Sequence, residues 1–151
     1  MTTMRAAVLD NFAAVARQLG LDAAQQLRAV GLSEAMLQPP DRLVPSDAVV
    51  RLLEQAASQG RCEVVGLRMS EVRGMSHFGV VSLLLSQQGT MRDALQMALR
   101  YLPLINASLA LWLDEDGDLA VLREEIVGAG AQPWRQAIEL AMATNVRLFR
   151  L

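Results

Sequence analysis

The sequence predicts a mostly helical α+β domain carrying one small antiparallel β-hairpin. Three observations carry that reading. Apolar residues recur at helical spacing in segments from the first residues to the last. Between Ser108 and Leu122 the pattern changes to strict alternation around an Asp/Gly-rich turn. And 151 residues, 52% of them hydrophobic, suit one packed core.

Taken in order, Val8, Phe12, Val15 and Leu19 share a face, so a helix is expected from Met4 to Leu19 with Gly20 as its stop. Asp22 is placed to cap a second, short helix that includes Leu27 and Val30 and leaves through Gly31. Ser33 starts a further turn. Pro39 and Pro40 remove two amide donors and force extended geometry before them, separating a small helical unit, residues 1–38, from a core unit, residues 46–151. Ser46 is expected to cap a helix with Asp47 in its first turn, with Val49, Leu52, Leu53 and Ala56 facing inward and Gly60 ending it. Val65, Met69 and Val72 mark the next helix.

Phe78 to Leu85 is apolar nearly all round, which places it at the covered centre of the domain. Thr90, with Asp93 three residues on, caps a helix whose stripe is Met91, Ala94, Leu95, Ala98, Leu99 and Leu102. Leu109, Leu111 and Leu113 then alternate with Ser108, Ala110 and Trp112. Leu119 and Val121 alternate likewise with Ala120 and Leu122 beyond the turn Asp114 to Asp118, giving two antiparallel strands. Trp134, Ile138, Ala141, Met142, Leu148 and Phe149 form the apolar side of a last helix that meets the chain end without a breaker, as in a chain cut from a longer one.

Composition excludes several classes. All 14 basic residues are arginines spread from Arg5 to Arg150, and the net charge is -2, a poor footprint for nucleic acid. The single Cys62 cannot form an internal disulfide and no secretory leader precedes the first helix, which fits a cytoplasmic protein. Apolar runs are too short or too interrupted to span a bilayer.

Local motifs are equally restrictive. Gly31, Leu32 and Ser33 between short helices resemble the turn of a helix-turn-helix, but Pro39 and Pro40 end the second helix before it could fill a major groove. The acidic turn Asp114 to Asp118 lacks the glycine and terminal glutamate positions of a calcium loop. One histidine, His77, and one cysteine make no zinc set. Ser76 beside His77 has no nucleophile elbow around it. An enzyme is not expected, and neither a metal nor another cofactor is called for.

The segments GLRMSEV, SHFGVVSLLLSQQGTMRDALQMALRYLPLINASLALWLDEDGDLAVL and QPWRQAIELAMATNVRLFR, with LGLDAAQQLRAVGL and PPDRLVPSDAVVRLLEQAA before them, resemble the N-terminal effector-sensing domain of AraC-type bacterial transcription regulators, in the subgroup with a mainly helical sensor. The resemblance covers nearly the whole chain and encodes packing rather than a reaction. It implies a domain that binds a small effector, pairs subunits, or both, with promoter DNA contacted only by a separate C-terminal pair of helix-turn-helix motifs absent here. If an effector pocket lies between the central helix and the hairpin, His77, Phe78, Trp112 and Arg123 are the side chains expected to line it, since pockets combine apolar walls with a few polar groups. A competing expectation is a pure subunit-pairing module, a homodimer formed through Trp134, Ile138, Met142 and Phe149.

Overall fold

A computed structural model describes residues 1–128 and 134–150. Gln132 and Pro133, which open the last of the similar segments, and the terminal Leu151 lie outside the described residues. The expected class holds, a mostly helical α+β domain, with a second small sheet beside the hairpin.

That extra sheet replaces the start of the expected first helix. Thr3–Arg5 forms β1 and pairs antiparallel with Leu43–Pro45, β2, in the register Met4 opposite Val44. A single 3-10 turn, Ala6–Leu9, follows, held by Ala6 N donating to Arg42 O and Ala7 N to Pro40 O. Only Phe12–Gln18, α1, is α-helical. Of the expected face, Phe12 and Val15 are buried while Val8 and Leu19 are half-buried, and Leu9 is buried in place of Val8 because the 3-10 turn shifts the register ahead of α1.

Ala23–Ala29, α2, begins as expected: Asp22 accepts from Gln25 N at 3.1 Å, and Gly31 takes φ 80 beyond the end. Ser46–Gln59, α3, differs at its start. Because β2 runs straight into it, Pro45 occupies the cap position and Ser46 is drawn into the first turn, where its buried hydroxyl has no partner. Leu52, Leu53 and Ala56 are fully enclosed, as the stripe predicts. Val65–Ser70, α4, stops short of Val72, which is exposed.

The largest correction concerns Phe78 to Leu85. This stretch is not the centre. A 3-10 turn over Met75–Phe78 is separated at Gly79 from a short helix, Val81–Ser86, α5. Only Val81 and Leu85 are buried, while Val80, Leu83 and Leu84 are exposed, Leu83 at 66%. Two turns of helix resting on one neighbouring helix cannot cover four sides.

That neighbour is Met91–Ile105, α6, capped by Thr90, whose hydroxyl accepts from Asp93 N at 3.1 Å and donates to the Asp93 carboxylate at 2.7 Å. Leu109–Asp116, β3, and Leu119–Ile126, β4, pair from Leu109 opposite Ile126 to Asp116 opposite Leu119. The connection is Gly117 and Asp118 alone, with Gly117 at φ 58. Asp114, Glu115 and Asp116, expected in the turn, extend the strand. Arg135–Leu148, α7, closes the described fold.

Phe12, Leu27, Leu52, Leu53, Val65 and Met69 form the heart of the core, joined from α7 by Leu140. Each contributes roughly 1.5–3 kcal/mol by leaving water. On the other side of α7 stand α6 and the hairpin, tied to β1 by Ala107 N donating to Thr3 O at 3.0 Å. Between these two halves the packing does not close.

Candidate functional site

The gap is a chamber of about 130 Å³. Its floor is Val49 and Leu53 of α3, which are also core residues, so a rigid layer supports it. One wall is α6, through Leu95, Ala98, Leu99 and Leu102, and a second is the hairpin, through Leu109, Leu111, Leu122 and Ile126. The third is α7, through Ala137, Leu140, Ala141, Thr144 and Leu148. The size is close to the ~150 Å³ of a dry apolar cavity able to hold a benzene.

Strand alternation decides which hairpin residues take part. Directly opposed residues share a face, and Leu109 with Ile126, Leu111 with Glu124 and Leu113 with Leu122 are three such pairs on the chamber side. Trp112 and Arg123 are paired with each other on the outer face. Trp112 is 41% exposed and outside the lining, and Arg123 is engaged in an exposed ion pair with Asp114. Of the four side chains expected from the sequence, His77 and Phe78 line the chamber and these two do not.

Polar groups collect at the end where β1 meets the 3-10 turn of His77. Arg5 donates from Nη1 to the His77 carbonyl at 2.8 Å and from Nε to Asp41 at 2.8 Å, with Nη2 also on Asp41. Its guanidinium lies over Gly79, where a Cβ would collide with it. The His77 ring accepts from Gly74 N at Nδ1, 3.1 Å, which leaves its neutral-form proton on Nε2, 3.6 Å from Asp10. Arg73 also lines the chamber, is only 8% exposed, and donates from Nη2 to the Val8 carbonyl. Its buried Nε has no partner. Burial holds the Arg73 pKa down at about 10, against the opposing pull of the Asp10 charge, so the group remains a cation at neutral pH.

The α7 wall adds two polar side chains. Thr144 Oγ1 donates to Leu140 O at 2.6 Å, and Asn145 Nδ2 donates to Glu124 Oε2 at 2.9 Å. Glu124 is pushed up to about 7 by burial, partly offset by that hydrogen bond, and its Oε1 has no partner. No sequence motif marks Arg73 or Glu124. Only tertiary burial distinguishes them from the other arginines and glutamates.

The four expected interface residues separate similarly. Trp134 and Ile138 are half-buried, Met142 is 54% exposed, and Phe149 is exposed on one side while lining the chamber with the other. Val146, one turn beyond Met142 and also exposed, lies on the same outward face. Among the described residues no three His, Cys, Asp or Glu side chains gather as metal ligands, and no helix is long and apolar enough to cross a membrane.

The helices and the hairpin surround an apolar chamber with Arg73 buried in its wall, and comparison with known families identifies the domain as a regulatory sensor. The chain belongs to the AraC family of such domains: residues 20–151 match the family described as the arabinose-binding domain of AraC transcription regulator, N-terminal. That family is one of transcription-regulator sensors and not of enzymes. No curated protein matches the chain.

Proposed function

We propose that this domain binds a small-molecule effector in the chamber between α6, the hairpin and α7, and that occupancy controls a DNA-binding domain C-terminal to it in a cytoplasmic bacterial regulator. The chamber itself carries the proposal: an apolar cleft, walled by elements from both halves of the fold and holding a buried, incompletely partnered arginine, has the anatomy of a small-molecule site. The family's description, an arabinose-binding domain, supports a small molecule as occupant. Because α7 and the hairpin form two walls and also pack on each other, a ligand that prefers one spacing between them shifts the balance between preexisting forms by its difference in affinity for the two. Promoter contact falls to the C-terminal helix-turn-helix pair, and this domain carries out no catalysis.

A thermal-shift screen tests the proposal. A true effector at a hundred times its Kd stabilises by about 2.7 kcal/mol, a rise of roughly 5–10 °C for a chain of this length. Ala98→Phe, which fills the chamber from α6, abolishes that rise without unfolding the protein. A bound effector whose shift survives Ala98→Phe sits elsewhere and ends the proposal.

A second reading, subunit pairing without an effector, draws on the outward face of α7, where Met142, Val146 and Phe149 lie exposed. Light scattering across concentration distinguishes it: a pairing module dimerises and Met142→Glu prevents it, whereas a monomer at high concentration rules this reading out.

A further inference from the structure

The chamber's chemistry narrows the kind of molecule it takes, given that the reading of it as an effector site holds. A sugar fits these walls poorly. Every hydroxyl brought out of water needs a hydrogen-bond partner, yet the lining offers few: the Thr144 hydroxyl donates to Leu140 O, Asn145 Nδ2 donates to Glu124, Asn106 Oδ1 accepts from Ser108, and Arg5 is bonded to Asp41 and the His77 carbonyl. The rest of the lining is dominated by leucine, isoleucine, valine and alanine.

Arg73 is the exception. Its side chain is more than nine-tenths buried, its Nη2 satisfies the Val8 carbonyl, and its Nε is enclosed without an acceptor. A buried guanidinium with an unused donor is an expensive feature, and the chamber is short of negative charge to match it: Asp10 is the acid that attracts it, while Arg5 is tied to Asp41 and Arg147 donates to the Arg73 carbonyl at 3.0 Å. We propose that the effector is a small monocarboxylic acid with an apolar body, its carboxylate held by Arg73 at the His77 end of the chamber and its body lying between α6, the hairpin and α7. A planar carboxylate takes the parallel donors that a guanidinium edge presents, and the surrounding aliphatic wall excludes water from the pair. A neutral isostere of the same length fills the same space and forfeits only the charge-assisted bond.

Hexanoate and hexanamide make the comparison in calorimetric titrations against the full chain. Hexanoate binds about tenfold tighter than hexanamide, the scale of one charge-assisted hydrogen bond, and Arg73→Met abolishes the preference while hexanamide still binds. The Arg73 Nε–H resonance of the unaltered protein gives a second readout that does not depend on the variant folding: it moves on adding hexanoate and stays in place with hexanamide. Equal affinities, a preference that survives Arg73→Met, or an unmoved resonance on hexanoate binding overturns the carboxylate assignment and leaves the chamber an effector site of another class. Failure of both probes to bind also overturns the carboxylate assignment, while the thermal-shift screen with Ala98→Phe decides separately whether the chamber is an effector site.

Discussion

Gly66 of α4 lies against the Gln136 carbonyl of α7 so closely that a Cβ there would overlap that oxygen and come within 3.0 Å of the Leu140 nitrogen. The same pair is bonded from the other direction, with Gly66 N donating to Gln136 Oε1 at 3.0 Å, while Gln136 Nε2 donates to Glu63 O at 2.9 Å. Two helices thus meet backbone to backbone, and the position of a chamber wall is set by a residue with no side chain.

Gly66→Ala is expected to force α7 outward. Overpacking of this kind costs about 1–3 kcal/mol, read as a lower urea midpoint. Because α7 supplies Ala137, Ala141 and Thr144 to the chamber, effector affinity falls along with stability.

The helix starts separate true caps from an apparent one. Asp22→Ala and Thr90→Ala each remove a side-chain acceptor from a first-turn amide and are expected to cost about 1 kcal/mol. Ser46→Ala deletes a buried hydroxyl that bonds nothing, so stability holds or rises by up to about 1 kcal/mol. Denaturant midpoints of the three variants measured together give the ordering.

Glu124 makes stability depend on pH. Its folded pKa, about 7, lies above the ordinary 4.5, so between those values the native state binds more protons than the unfolded chain. Stability therefore falls as pH rises from about 4.5 through 7 and levels off beyond. Glu124→Gln flattens that segment and stabilises the protein at pH 8 by about 1 kcal/mol, well below the full shift because the carboxylate retains some contact with solvent. Thermal melts at pH 5 and pH 8 check the sign; a native protein more stable at pH 8 than at pH 5 while Glu124→Gln is flat would contradict it.

On the outer face of the hairpin, Arg123→Ala breaks an exposed ion pair with Asp114 and is expected to change stability by no more than about 0.5 kcal/mol. Ligand-induced thermal shifts remain those of the parent, since neither Arg123 nor its neighbour Trp112 reaches the chamber.

Much of the architecture was legible in the sequence wherever local chemistry governs. The Asp22 and Thr90 caps, the α3 stripe and the alternation of Leu109 and Leu111 follow from local chemistry, because a cap or a period is enforced within a few residues of itself, whereas in β4 Leu122 and Ile126 face the chamber and Leu119 and Val121, the residues that alternate in the sequence, are exposed. Met4 and Arg5 lie in a strand and not in the expected helix because their partner strand is some forty residues on, and Ser46 fails to cap for the same reason. In the site, His77 and Phe78 could be chosen from the expectation of an apolar element meeting the hairpin. Trp112 is expected there as an apolar wall residue of the hairpin, and only the strand register reveals that its parity points it outward.

By itself the sequence determined the inward stripe of α3, the caps at Asp22 and Thr90, and the family to which the order of its segments belongs, since each depends on side chains near in sequence. Tertiary structure alone decided which arginine is sealed beside an apolar volume, which glutamate loses its water, and where two helices touch through Gly66. Burial is a property of what surrounds a residue, and what surrounds Arg73 or Glu124 comes from elements tens of residues away, whose arrival no local pattern encodes.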